Sequence, residues 1–342
     1  MRCAKILVTS ISLLEQELGC FVKKILISTF SVLAAIAACF FLYIMFAFPK
    51  QEKPESITIE RTSARWERGR YLANAVAACM DCHSQRDWNL YAGPIVPGSL
   101  GAGGEEFNQK LGFPGKYFAP NITPDSLGDW TDGEIKRAIT TGVSKNGRPL
   151  FPVMPYLNYG KMDSEDIDSI IVYLRSLEPI KKEIPQSESD FPMNLIIRTI
   201  PTKANFTQIP KPSDRLEYGK YLFTAASCAD CHTKQEKGKP IEGMELAGGF
   251  EFPMGDGSVV RSSNITPDRE TGIGNWSEDR FVNLFKSFDS KTYKPHVVEK
   301  EGYNTIMPWG MYGNMTKEDL SAIFAYLQTV KPIRNEVIRF SK

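Results

Sequence analysis

Only three histidines occur in 342 residues, and the seven cysteines are unevenly placed. Cys79 and Cys82 form one pair at C-x-x-C spacing, Cys228 and Cys231 form another, and Cys3, Cys20 and Cys39 all fall in the first 40 positions. An odd number gathered in this way argues against a disulfide framework, which distributes paired cysteines through the fold. A four-ligand zinc site at each pair would be short of histidines. Net charge is also missing: 41 Lys and Arg against 40 Asp and Glu leave a formal +1, which speaks against nucleic acid as a partner. What remains is ordinary globular composition, 42% hydrophobic and 24% charged, in a chain long enough for two domains.

Long apolar runs are scarce except for one. Ile25 to Phe48 contains no Asp, Glu, Lys, Arg or His. As a helix it would reach roughly 36 Å, enough to cross a hydrocarbon core of ~30 Å with some tilt. Arg2, Lys5, Lys23 and Lys24 precede it, whereas Lys50 and Lys53 are balanced by Glu52 and Glu55. The positive-inside rule then keeps the N-terminus cytoplasmic and puts everything after Phe48 outside. A cleaved signal peptide is the alternative. Ile36-Ala37-Ala38-Cys39 also has the form of a lipoprotein box, although processing there would leave Phe40 to Phe48 as an apolar start.

The rest of the chain repeats itself. Cys79 recurs as Cys228 at an offset of 149, Asn121-Ile122-Thr123-Pro124-Asp125 as Asn264-Ile265-Thr266-Pro267-Asp268 at 143, and Met154-Pro155 as Met307-Pro308 at 153. Landmarks in one order at nearly one offset indicate a duplicated unit. The expected layout is a cytoplasmic segment (1–24), a transmembrane helix (25–48), a linker (49–61), a first domain (62–180), an interdomain strap (181–213), a second domain (214–332) and a tail (333–342). Each domain reads as helix, cysteine motif, long turn-rich loop, second helix, Met-Pro loop and closing helix, an all-α order. Thr131 to Glu134 has capping-box spacing, and Ser277 holds the equivalent N-cap. Gly69 and Gly219, ahead of the cysteine motifs, predict close helix crossings against the closing helices that carry Tyr173 and Tyr326. Loops this long inside a compact domain require something else to fill the interior.

The cysteine motifs say what that is. Cys79-Met80-Asp81-Cys82-His83 and Cys228-Ala229-Asp230-Cys231-His232 are both C-x-x-C-H, the attachment signature of c-type haem. On one helical turn, positions i and i+3 put both thiols on one side, where they form thioethers with the haem vinyl groups while the next histidine ligates iron. Two covalently bound haem c groups follow, with His83 and His232 as proximal ligands. Several methionines could supply the distal thioether; the repeat favours Met154 and Met307, each before Pro and an aromatic in an irregular loop. Met162 and Met315 also recur, but they precede Asp163 and Thr316 as N-caps and read as hydrophobic staples. Met311 and His296 have no counterpart in the first domain. The Asn-Ile-Thr-Pro-Asp segments have two readings: turn chemistry alone, or haem propionate binding by Asn121, Thr123 and Trp130 in one domain and Asn264, Thr266 and Trp276 in the other.

Taken together, these motifs resemble the cytochrome c subunits of bacterial membrane-bound dehydrogenases, the group related to alcohol, gluconate and fructose dehydrogenases. Such subunits commonly carry three haem domains; here the resemblance covers two, over about residues 62 to 332. It implies tandem cytochrome c-like domains behind one transmembrane helix and His83/Met154 and His232/Met307 ligation. It also implies electron transfer from a dehydrogenase to quinone or a terminal oxidase at the periplasmic side of a bacterial inner membrane. Saturated irons imply a carrier and no enzyme. The alternatives are a di-haem cytochrome c peroxidase, which wants an additional distal histidine in the first half, and a thiosulfate-oxidising cytochrome with a distal cysteine.

Overall fold

The computed structural model describes residues 2–50, 52–299 and 302–342; the side chains of residues 2–18 and 20, among them Arg2, Cys3, Lys5 and Cys20, lie outside the described set. The chain falls into two compact units, 1–50 and 51–342. The first is one continuous helix, Arg2–Ala47, which starts well before the apolar run. Among the described residues, Phe21–Ala47 is the one stretch long and apolar enough to cross a membrane, with a mean hydropathy of 2.5. Its 27 residues reach roughly 40 Å at 1.5 Å each. Phe30, Phe40 and Phe46 are all exposed along it.

The second unit contains two halves built in the same order. The first half opens with the helix Ser63–Tyr71, capped by Thr62, whose hydroxyl accepts the Arg65 N–H at 3.2 Å. It continues through a π-helical turn, Leu72–Val76, into the short helix Cys79–Cys82. After a long loop come Asp132–Thr141, the Met154 loop and the closing helix Ser164–Arg175. The corresponding helices of the second half are Arg215–Ala225, Cys228–His232, Glu278–Lys286 and Lys317–Leu327. Both capping expectations hold. Thr131 accepts from Glu134 while the Glu134 carboxylate accepts the Thr131 N–H at 2.8 Å, and Ser277 accepts the Arg280 N–H at 3.2 Å.

Opening and closing helices cross where the glycines predict. A Cβ on Gly69 would lie 1.8 Å from the Ser169 carbonyl oxygen, and one on Gly219 2.0 Å from that of Ala322. Neither neighbour is a side chain that could swing away, so Gly69→Ala must push two helices apart. We expect a loss of about 3 kcal/mol in denaturant unfolding, at the upper end of ordinary overpacking; a variant as stable as the parent would contradict this crossing.

The all-α expectation needs one amendment, because each long loop folds into a small sheet. Glu106–Phe107, Gly115–Phe118 and Glu188–Ser189 form one antiparallel set, and Glu251–Pro253, Val259–Arg261 and Phe340–Ser341 another. A two-stranded hairpin joins Gln235–Glu236 to Lys239–Pro240. One outer strand of each set comes from the strap or the tail, and each of these is only two residues long. Backbone polar groups of a packed loop need partners, and these segments supply them.

Tyr71 and Tyr221, two residues after the crossing glycines, do not stay within their own half. Each reaches into the other half. The Tyr221 hydroxyl donates to Asp166 Oδ2 at 2.6 Å and accepts the Asp163 N–H at 3.1 Å. The Tyr71 hydroxyl donates to Asp319 and accepts the Thr316 N–H at 3.1 Å. Arg68 and Tyr218 complete the pattern, Arg68 bonding both oxygens of Asp166 at 2.8 and 2.7 Å and Tyr218 donating to Asp319 at 3.0 Å. Two buried carboxylates at the starts of the closing helices thus tie the halves together reciprocally.

Candidate haem site

A left-handed residue starts each attachment turn, Ala78 at φ 49° and Ser227 at φ 54°. In the first half the helix Cys79–Cys82 then sets two half-buried thiols on one turn. Burial pushes both thiols up to about 12, so they are protonated until they react. His83 is buried at 9% exposure, and burial lowers its pKa, so its imidazole is neutral. Its Nδ1 lies 2.8 Å from the Pro120 carbonyl oxygen. That contact assigns the proton to Nδ1 and leaves the Nε2 lone pair for a metal, the usual support of a ligating histidine. His232 repeats the arrangement at 2.8 Å from Ser263 O.

Two glycines make this support possible. Gly103 and Gly248 have φ of 68° and 74°, and a Cβ on them would meet Pro120 and Ser263 backbone carbon at 2.5 Å. Their N–H groups donate to the His83 and His232 carbonyls, each at 2.8 Å. One more pair recurs: the Tyr159 hydroxyl donates to Ala77 O at 2.8 Å and the Tyr312 hydroxyl to Ala226 O at 2.7 Å, fixing the backbone just ahead of each attachment turn. Sequence reasoning passed over all six residues. Tyr159 and Tyr312 share the Met-Pro offset of 153, and Pro120 and Ser263 directly precede the repeated Asn-Ile-Thr, so self-comparison carried the signal.

Around these elements lies a cavity of about 1180 Å³, larger than the ~300–1,000 Å³ of ordinary small-molecule sites. Cys79, Cys82, His83 and Met154 all line it, which brings the first candidate set to one cavity. The same cavity extends to Ser227, Cys231, Pro308 and Tyr312 of the second half; Cys228, His232 and Met307 stand outside its lining. Met162 and Met315 are buried in the core at 1% exposure, in front of the caps Asp163 and Thr316, as staples would be. Met311 is also core. His296 is exposed and stacks on Tyr91, ring centroids 4.9 Å apart.

Asn121 and Thr123 have other occupations. Asn121 Oδ1 accepts the Thr123 N–H and hydroxyl, its Nδ2 donates to Ile180 O at 2.7 Å, and the Ile180 N–H donates to Thr123 Oγ1 at 3.2 Å. Asn264 and Thr266 hold Ile333 in the same way, at 2.8 Å and 3.1 Å. The segment therefore pins the chain as it leaves each closing helix. Neither these four residues nor Trp130 and Trp276 line the cavity. Trp276 lies under the Arg280 guanidinium at 4.3 Å.

A C-x-x-C-H turn with a backbone-supported histidine, facing a large apolar cavity, is the arrangement that a c-type haem site requires. A family model for cytochrome c matches residues 216–331, so the second half carries a cytochrome c domain, which implies covalently bound haem c. The chain resembles the cytochrome c subunit of quinone alcohol dehydrogenase from Gluconacetobacter polyoxogenes, 27% identical over 290 residues, 81% of this chain and 58% of that one. It also resembles the gluconate 2-dehydrogenase cytochrome c subunit of Pantoea cypripedii, 25% identical over 77% of this chain and 59% of that one. A diheme cytochrome c-type protein of Cereibacter sphaeroides is 26% identical over 75% of this chain and 82% of its own. The chain spans a little over half the length of the two dehydrogenase subunits.

Proposed function

We propose that this chain is a membrane-anchored di-haem cytochrome c that passes electrons from a dehydrogenase to quinone or a terminal oxidase. The observation that carries the reading is one cavity bordered by both attachment turns, with His83 and Met154 on its wall. Bound there, haem supplies one-electron chemistry. The chain's own residues do the rest. Cys79, Cys82, Cys228 and Cys231 hold the two groups covalently, in domains 62–180 and 214–332. His83 and His232 present Nε2 to iron, oriented by Pro120 and Ser263. Met154 and Met307 would complete the iron coordination, which would exclude water and substrate and favour transfer over turnover. A half-buried guanidinium, Arg148, lines the cavity with its pKa lowered by burial, and is better placed for a propionate than Asn121 or Thr123. Phe21–Ala47 crosses the membrane with the N-terminus inside, leaving the haem domains on the periplasmic side.

The dehydrogenase donor rests on the relatives' names, and the quinone or oxidase acceptor on the same resemblance. The test is Met154→Ala and Met307→Ala. Each should abolish the methionine-to-iron charge-transfer band of one haem and lower that haem's reduction potential, leaving the other unchanged. Enzyme-like peroxide turnover by the unaltered chain would instead favour the di-haem peroxidase reading.

A further inference from the structure

The two methionine loops are supported differently, although the framework around them is duplicated. In the first half the Met154 N–H donates to the Phe151 carbonyl at 3.2 Å, and the Phe151 ring stacks on Tyr117 with centroids 4.1 Å apart. Both supports belong to the same half. In the second half the residue at the Phe151 position is Asn304, 8% exposed and wholly engaged. Its Oδ1 accepts the Ala92 N–H at 2.9 Å and the Thr305 N–H at 2.8 Å, and its Nδ2 donates to Trp88 O and Leu90 O at 3.2 and 3.4 Å. Thr305 Oγ1 in turn accepts the Met307 N–H at 3.1 Å.

Trp88, Leu90 and Ala92 lie in the loop that leaves the first attachment turn, and they are tied back to it. Buried Arg86 donates to Ala92 O at 2.6 Å, to Gly93 O at 2.7 Å and to Asp81 at 2.7 Å, and Asp81 sits between Cys79 and Cys82. Bonds from Tyr91 N–H to His296 O and from Val298 N–H to Asn89 O, at 2.9 and 2.8 Å, lock the same two loops side by side. A continuous set of hydrogen bonds therefore runs from the first attachment turn to the second methionine loop; in the other direction the link among the described residues is a single bond from Asn158 Nδ2, just after Met154-Pro155, to Asp230 Oδ2 at 2.9 Å.

We infer that Asn304 is a positioning residue for Met307, through which the first haem's attachment turn sets the distal side of the second haem. The inference rests on the reading of Met307 as an iron ligand. A carboxamide suits the role because its oxygen takes two N–H groups while its nitrogen satisfies two carbonyls, a full set for a buried amide. The consequence is that damage to the 88–92 loop reaches the second haem.

The test uses the full, haem-loaded chain with methyl-labelled methionine, in which each iron-bound methionine gives its own ring-current-shifted resonance in the ferrous state. Asn304→Ala should lose or broaden one of the two and lower one reduction potential; a tenfold weaker hold on ferrous relative to ferric iron is a shift of about 59 mV. Thr305→Val, which removes one hydroxyl at nearly constant shape, should do the same if Asn304→Ala folds poorly, and Thr305→Ser should restore both signals. Both resonances and both potentials unchanged in Asn304→Ala and Thr305→Val would overturn the inference. Met307→Ala separates the two readings. If it keeps both resonances, the ligation reading fails and the inference falls with it; if it loses one while the Asn304 and Thr305 variants lose none, only the inference falls.

Discussion

On the di-haem reading, a chain in which Cys79 and Cys82 are both replaced by serine should emerge with one covalently bound haem instead of two. The argument is geometric. The two thiols share a single helical turn, Cys79–Cys82, on the wall of the cavity, and no other cysteine lines that half of it. The spare described cysteine, Cys39, lies in the N-terminal helix, in a separate unit. The Cys228/Cys231 double variant should lose the other haem, and the quadruple variant both. Haem-to-protein ratio from the alkaline pyridine spectrum, with intact mass after denaturation, reads the result directly. A ratio of one in the unaltered chain, or of two in either double variant, would refute the di-haem reading. Serine also leaves the cavity without its occupant, so each double variant should be far more protease-sensitive than the parent.

Asp166→Ala should cost roughly 3–5 kcal/mol, the range for stripping one partner from a buried ion pair. Asp166 is 5% exposed and holds a bidentate Arg68 at 2.7 and 2.8 Å together with the Tyr221 hydroxyl at 2.6 Å. Alanine strands a guanidinium and a phenol from different halves in one place. Asp319→Ala should follow in the same direction but by less, since it frees two tyrosine hydroxyls and no charge. Glu165→Ala is the comparison: its pair with Arg65 is short at 2.7 Å, but the carboxylate side chain is 68% exposed, so the expected loss is under about 1 kcal/mol. Urea unfolding of the three variants checks the order. Equal effects for Asp166 and Glu165 would mean that the reciprocal tie contributes nothing special.

The cysteine pairs, the following histidines and the repeat were legible because C-x-x-C-H is a local spacing that fits on one helical turn, Cys79–Cys82 in the first half and Cys228–His232 in the second. The caps at Thr131 and Ser277 and the crossings at Gly69 and Gly219 were legible for a similar reason: a cap or a close approach restricts residue type at a single position. The Asn-Ile-Thr segment was legible as a turn, but its partners Ile180 and Ile333 lie 57 and 67 positions beyond Thr123 and Thr266. No local pattern announces such a pairing. The strands of the strap and tail escaped notice because two residues are too few to show alternation.

By itself the sequence determined where the two C-x-x-C-H motifs with their histidines and the apolar helix lie, and that a set of landmarks recurs in one order. Those properties depend on neighbours a few residues apart and survive reading one position at a time. Only the tertiary structure decided how the halves meet. It set Tyr71 on Asp319 and Tyr221 on Asp166, put both attachment turns on one cavity, and laid the 88–92 loop against Asn304. These contacts join residues 55 to 248 positions apart, and their selection depends on the shape and satisfied polar groups of the packed whole.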